Sequence, residues 1–258
     1  MAVLSVLRGL TRLADRGYLR RWDAAARRAE QDDLETLKTY RARARALRRR
    51  LDRVLHVADG RLALPIVGAS AVRKPLHADW AYRPPLWRGP IFPAGHAAVD
   101  SKTRLGEEAT IFHDCGISEI TFRQVRNTRE TDLAPFGARF DVFAFDGSFL
   151  SLVVELPDAA LVGLQKRHLI SLSAMIETEK PLEVFARLNI RHGPNTEQIV
   201  REFPHSNGEL TLDFDLAYSK LNERRIERMW LDLIFEGPEL NQITLRDVTL
   251  SRRPRAEI

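Results

Sequence analysis

The sequence predicts a mainly β protein whose body is an antiparallel, jelly-roll-like β-sandwich preceded by an N-terminal helical segment. Three observations predict it. Residues 3–56 lack proline and are dominated by Ala, Arg and Leu, all good helix formers. After Ser118 the apolar period changes from helical to two. The period-two runs are punctuated by Gly147, Gly193-Pro194, Asn207-Gly208 and Gly237-Pro238, with no βαβ rhythm between them.

The helical segment is expected to break near Gly17 and to end at Asp59-Gly60, so the domains divide as 1–58 and 59–258. In its second piece Leu37, Tyr40, Ala44, Leu47, Leu51 and Val54 are spaced 3-4-3-4-3. This a/d stripe is shorter than a free-standing coiled coil. It is expected to be buried, either on the body of the chain or in self-association or a protein partner. The segment is also basic. Residues 1–58 carry 15 Lys/Arg against 7 Asp/Glu, whereas the remaining 200 carry 25 against 28, so the formal charge of +5 belongs to the helix. Nucleic acid is not the expected partner, because base-stacking aromatics are not interleaved with the arginines.

Residues 65–93 hold six prolines, which suit edge strands and extended loop rather than helix or central strand. Within this stretch the Pro/aromatic-rich loop 75–93 carries Trp80, Tyr82 and Trp87 beside Asp79, Arg83 and Arg88. Strands follow. Phe140, Val142 and Ala144 alternate with polar or exposed positions, as do Leu182–Ile190, Leu210–Tyr218 and Met229–Phe235. The last run, Ile243, Leu245, Val248, Leu250, slips phase by one, which a β-bulge near Arg246-Asp247 explains. Asn207-Gly208 is a hairpin signal. Some eight strands with one face apolar fit a jelly roll, with an open barrel as the competitor.

The sequence excludes several chemistries. Its one cysteine, Cys115, rules out an internal disulfide and fits a reducing compartment. A phosphate loop, a dinucleotide fingerprint and a nucleophile elbow are missing. None of the seven histidines lies three or four residues from another, so a helical zinc pair is excluded and no metal or cofactor is expected. His113-Asp114 is the one close His–carboxylate pair. Asp213 and Asp215 share a strand face and, with Asp232 expected on a neighbouring strand, would form an acidic patch or be paired across to Arg228 or Arg246. No secretory leader and no run of about 20 apolar residues is visible, so the expected location is cytoplasmic, with non-classical export left open.

The segment Arg228–Leu250, an apolar strand, a turn with Pro238, then a strand ending in Asp247-Val248-Thr249-Leu250, resembles the closing strand pair of galactose-binding-like jelly rolls, the fold of many carbohydrate-binding modules. With the Trp80–Pro93 loop, the whole chain resembles an alphaproteobacterial domain-of-unknown-function family, from which no catalytic residue follows.

The resulting expectation is a non-enzymatic binding or assembly protein recognising glycan through the sandwich. Sugar rings present C–H faces that stack on Trp and Tyr, and hydroxyls that need planar polar partners. The candidate ligand-binding residues are therefore Trp80, Tyr82, Arg83, Trp87 and Arg88. Two alternatives stand: an interaction protein acting through its helix with no small ligand, and a carboxylate-dependent glycan enzyme.

Overall fold

The computed structural model describes residues 17–62, 72, 74–204 and 208–255. The expected helix over 3–16 and the Asn207 half of the predicted hairpin lie outside the described residues. The chain divides into two compact units between Leu55 and His56.

Helix α1 covers 17–28 and α2 covers Leu34–Leu62. Gly17 is helical, and what precedes it lies outside the described residues; a break falls at 29–33. Asp33 sets it: its Oδ1 accepts the backbone N–H groups of Glu35 and Thr36, both at 2.9 Å, and its Oδ2 accepts the Thr36 hydroxyl. This is an N-cap that satisfies donors the first turn leaves open. The Thr36 hydrogen bonds hold the Asp33 carboxyl below its ordinary value. The helix also runs past Asp59-Gly60 to Leu62. Within this unit Leu47, Leu51 and Val54 of the apolar stripe are exposed.

The second unit is an antiparallel sandwich of two sheets. Its strands are β1 (Trp80–Tyr82), β2 (Gly95–His96), β3 (Thr103–Leu105), β4 (Ala109–His113), β5 (Ile120–Arg126), β6 (Phe136–Val142), β7 (Leu150–Glu155), β8 (His168–Thr178), β9 (Glu183–His192), β10 (Asn195–Glu202), β11 (Gly208–Asp215), β12 (Ile226–Glu236) and β13 (Asn241–Pro254). A one-turn helix α3 (Pro85–Arg88) follows β1. One sheet runs β11-β8-β13-β6-β5-β2, with β1 also on β13; the other runs β10-β9-β12-β7-β4-β3.

β13 organises the first sheet. Its residues 243–254 run along β8, while on the other edge β6 takes residues 241–245 and β1 takes 250–252. Between those partners the register shifts at Leu245/Asp247, the bulge expected from the phase slip. The bulged Arg246 turns to Asp132 and Glu177, at 3.3 and 2.8 Å.

The inward phases of the strands meet as one core. Val184, Ala186, Leu188 and Ile190, then Met229, Leu231, Leu233 and Phe235, are buried as the alternation requires, as are Leu212 and Phe214. Phe140 of the first sheet packs at a tilt against Phe122 of its own sheet, centroids 5.4 Å apart, and against Phe235 of the second sheet, 5.9 Å apart, tying the layers together. Two runs stop earlier than their alternation implies. β6 ends at Val142, leaving Ala144 exposed. β11 ends at Asp215, whose Oδ1 accepts the Ala217 N–H at 2.9 Å and turns the chain, so Tyr218 is exposed. Gly193, at φ 60°, makes the two-residue link between His192 and Asn195 that joins β9 to β10.

Candidate functional site

The aromatic loop is built in two halves with different fates. Pro84 and Pro85 start α3, where a missing N–H costs nothing. The turn is then clamped: Glu108 accepts the Leu86 N–H at 2.8 Å, and the Gln124 side chain donates to the Leu86 and Gly89 carbonyls while accepting from Ile91 N–H. The clamp drives Leu86 and Trp87 fully into the core, and the Trp87 indole donates to the Leu245 carbonyl at 2.9 Å. Arg83 is buried as well, its guanidinium forked onto both carboxylate oxygens of Asp247 at 2.8 and 2.7 Å. Burial pushes the Asp247 carboxyl up and Arg83 opposes it. Trp87 and Arg83 are thus corrections to the sequence reading. Both are core anchors beside the β13 bulge and present nothing to a ligand.

Trp80, Tyr82 and Arg88 behave otherwise. Two residues apart on β1, the Trp80 and Tyr82 rings stack at 5.9 Å and 18° and remain half-buried. The exposed Arg88 lies over Tyr82, 5.8 Å from its centroid. Burial, with the Glu108 charge, raises the Tyr82 hydroxyl to about 12, and burial raises Glu108 itself. Asp79 serves structure: both its oxygens receive Arg252, at 2.9 and 3.0 Å, which holds it below its ordinary value.

A larger constellation lies on the outer face of the six-stranded sheet. Because inward residues of β9 and β12 are apolar, the opposite phase carries Phe185, Arg187, Asn189 and Arg191 on β9 and Arg228, Trp230, Asp232 and Ile234 on β12. Strand register lines these up. Gln198, Asn189, Trp230 and Glu155 form one row across β10, β9, β12 and β7, and Val200, Arg187, Asp232 and Val153 form the next. Asp232 and Asn189 are the floor: Asp232 Oδ2 accepts from Arg187 Nε at 2.8 Å and from Asn189 Nδ2 at 3.1 Å, and Asn189 Oδ1 accepts from Gln198 Nε2 at 2.9 Å. The floor fixes the outward groups, since Gln198 is exposed and Arg187 partly so. Trp230 is half-buried, with the Arg228 guanidinium 4.7 Å from its ring centroid and Arg228 in turn paired to Glu155. Asp232 Oδ1 is buried without a hydrogen-bond partner. An aromatic on the polar phase of a strand was visible in the sequence at Trp230; its neighbours from β9, β10 and β7 required the register.

Of the two alternatives for the three aspartates, pairing to arginines is the one observed, and the acidic patch does not form. Asp213 and Asp215 lie on β11 in one sheet and Asp232 on β12 in the other. Each is held by an arginine: Asp213 by Arg253 at 3.1 Å, Asp215 by Arg255 at 3.6 Å and Asp232 by Arg187 at 2.6 Å. The expected partners go elsewhere, Arg228 to Glu155 and Arg246 to Asp132 and Glu177. His113 is likewise structural: it is buried, with Nε2 2.7 Å from the Val99 carbonyl and Nδ1 accepting the Cys115 N–H. Asp114 turns away to the Ser148 N–H and hydroxyl, so the pair is no dyad. Burial raises the Cys115 thiol, which makes it a poor nucleophile. Among the described residues, no three His, Cys, Asp or Glu side chains group to hold a metal, and no helix is long and apolar enough to cross a membrane.

Comparison with solved structures returns carbohydrate-binding modules at low identity. The family 11 module from Clostridium thermocellum, in complex with a β-1,3-1,4-mixed-linked tetrasaccharide, aligns with a TM-score of 0.39 at 14% identity over 64% of this chain and 99% of that one. The CBM22-1 xylan-binding domain from Paenibacillus barcinonensis Xyn10C gives 0.36 at 9% identity, over 63% and 94%. A family 61 module in complex with β-1,4-galactotriose gives 0.32 at 14% identity, over 55% and 86%. A search of curated proteins finds no match. The model of a family of unknown function, DUF6478, matches residues 3–258, and the chain belongs to that family.

Proposed function

We propose that the chain is a non-enzymatic glycan-binding protein, and that its ligand lies across the outer face of the six-stranded sheet. One observation carries the reading: the row Gln198–Asn189–Trp230–Glu155, with Arg187 and Arg228 beside it. A half-buried indole offers an apolar platform to a sugar C–H face, while amide, guanidinium and carboxylate groups at fixed positions around it offer partners to hydroxyls. Neighbouring strands are about 4.8 Å apart, so four aligned residues span about 14 Å, room for a short oligosaccharide. The reading rests on this geometry and not on the structural likenesses. Binding is favoured over hydrolysis because the two acids within these rows are already committed, Asp232 to Arg187 and Glu155 to Arg228.

The Trp80–Tyr82 stack with Arg88 is a second, smaller contact zone within the same proposal. Calorimetric titration of the full chain with soluble polysaccharides tests it, with Trp230→Ala and Tyr82→Ala apportioning the two surfaces. Affinity lost in Trp230→Ala with an unchanged melting temperature supports the reading. Affinity unchanged in that variant removes it.

A further inference from the structure

Helix α2 has a chemistry that the sandwich does not use. Over Leu34–Leu62 it carries nine Lys/Arg against three Asp/Glu. At about 100° per residue, Leu37, Tyr40, Ala44, Leu47, Leu51, Val54 and Leu55 share one arc. Arg41, Arg45 and Arg48 border that arc on one side, and Arg43 and Arg50 on the other. The arc is open to solvent: Leu47, Leu51, Val54 and Leu55 are 37%, 52%, 64% and 54% exposed. Four large apolar side chains left in water along one helix face need a cover.

We propose that α2 lies on an anionic lipid surface, with Leu47, Leu51, Val54 and Leu55 among the acyl chains and the arginine rims at the level of the headgroup phosphates. Charge complementarity selects this occupant. The cover must be apolar beneath the arc and anionic along its rims, which is what one leaflet presents to a helix lying in its interface: acyl chains below and headgroup phosphates at the sides. A second copy of the helix would face one arginine rim with another. The acids available to relieve that repulsion are sparse: the described carboxylates are Glu35 and Asp52, and Asp52 already sits 3.6 Å from Arg48 of its own helix. A nucleic acid would neutralise the rims but leave the leucines in water. The basic helix therefore does more than solubilise the segment. It makes the protein peripheral to a membrane.

The test is flotation of the full chain with vesicles of phosphatidylcholine alone and of phosphatidylcholine with phosphatidylglycerol. The expected result is binding to the anionic vesicles only, weakened by added salt. Replacing Arg43 or Arg50 by Gln should lower it roughly fivefold each, while Lys at the same positions retains it. Leu47→Asp with Leu51→Asp should abolish it and leave the near-ultraviolet circular dichroism of the sandwich unchanged, because both positions are exposed. Three results would overturn the proposal: equal binding to both vesicle types, vesicle binding that survives the double Asp variant, or a full chain that ignores vesicles and runs as a dimer dissociated by Leu47→Asp.

Discussion

Replacing Trp87 by Ala separates packing from recognition in the aromatic loop. The side chain is 0% exposed, so its loss removes a complete indole from the core. Large-to-small changes of this kind cost about 3–5 kcal/mol. The indole also donates to the Leu245 carbonyl at 2.9 Å, beside the β13 bulge, and a buried acceptor that loses its donor costs about 1–3 kcal/mol more. The sum is about 4–8 kcal/mol, and at about 2–4 °C per kcal/mol for a domain of this size the melting temperature should fall by about 8 °C or more. Trp87→Phe isolates the hydrogen bond, since it keeps an aromatic ring and drops the N–H, and should lie near 1–3 kcal/mol. Differential scanning calorimetry and urea titration read both values. A Trp87→Ala protein that melts within a degree or two of wild type would show that the ring is not a core anchor and would return it to the ligand-binding set.

Other outcomes follow from the same geometry. Asp247→Ala should cost about 3–5 kcal/mol, because it strands the Arg83 guanidinium in the core, and should exceed the cost of replacing both partners by apolar residues, as urea titration of the single and double variants will show. Gln124→Ala should loosen α3 by removing the side chain that holds Leu86, Gly89 and Ile91, an effect visible as faster amide exchange at Leu86–Ile91. Gly147→Ala should destabilise the loop, because a Cβ there would stand 2.6 Å from Asp114 Oδ1 and 3.0 Å from the Cys115 backbone nitrogen. Asp79 has a folded value depressed by Arg252, so its contribution is complete above the ordinary 3.8 and is lost as pH falls through the lower folded value. The stability gap between wild type and Asp79→Asn should accordingly be constant at neutral pH and close only in acid, which melting curves across pH will show.

The parts of this molecule readable in sequence are those where a local period decides burial. The alternations Val184–Ile190 and Met229–Phe235 place their inward residues correctly because a buried sheet face permits no one-residue slip. The bulge at Arg246 was readable for the same reason, as a break in phase. Contacts between distant segments were not readable. Nothing local distinguishes Trp87 from Trp80: one lies on a single helical turn drawn inward by Glu108 and Gln124, the other on an edge strand, and those partners lie far along the chain. Arg83 reads as a ligand partner until Asp247, 164 residues later, is placed against it. Which arginines pair the aspartates was not readable, because sequence does not assign strands to sheets. Trp230 was legible as an aromatic among charges on an outward phase, but its row of Gln198, Asn189 and Glu155 exists only in the register.

The most direct test of glycan recognition is isothermal titration of wild type and Trp230→Ala against a panel of soluble neutral and acidic polysaccharides, with melting temperatures measured on both proteins. The account predicts saturable binding to at least one member by wild type, its loss in Trp230→Ala, and melting temperatures that agree because the half-buried ring lies on the outer face of the sheet. Absence of binding to every member at millimolar ligand, or binding that Trp230→Ala leaves intact, would contradict it.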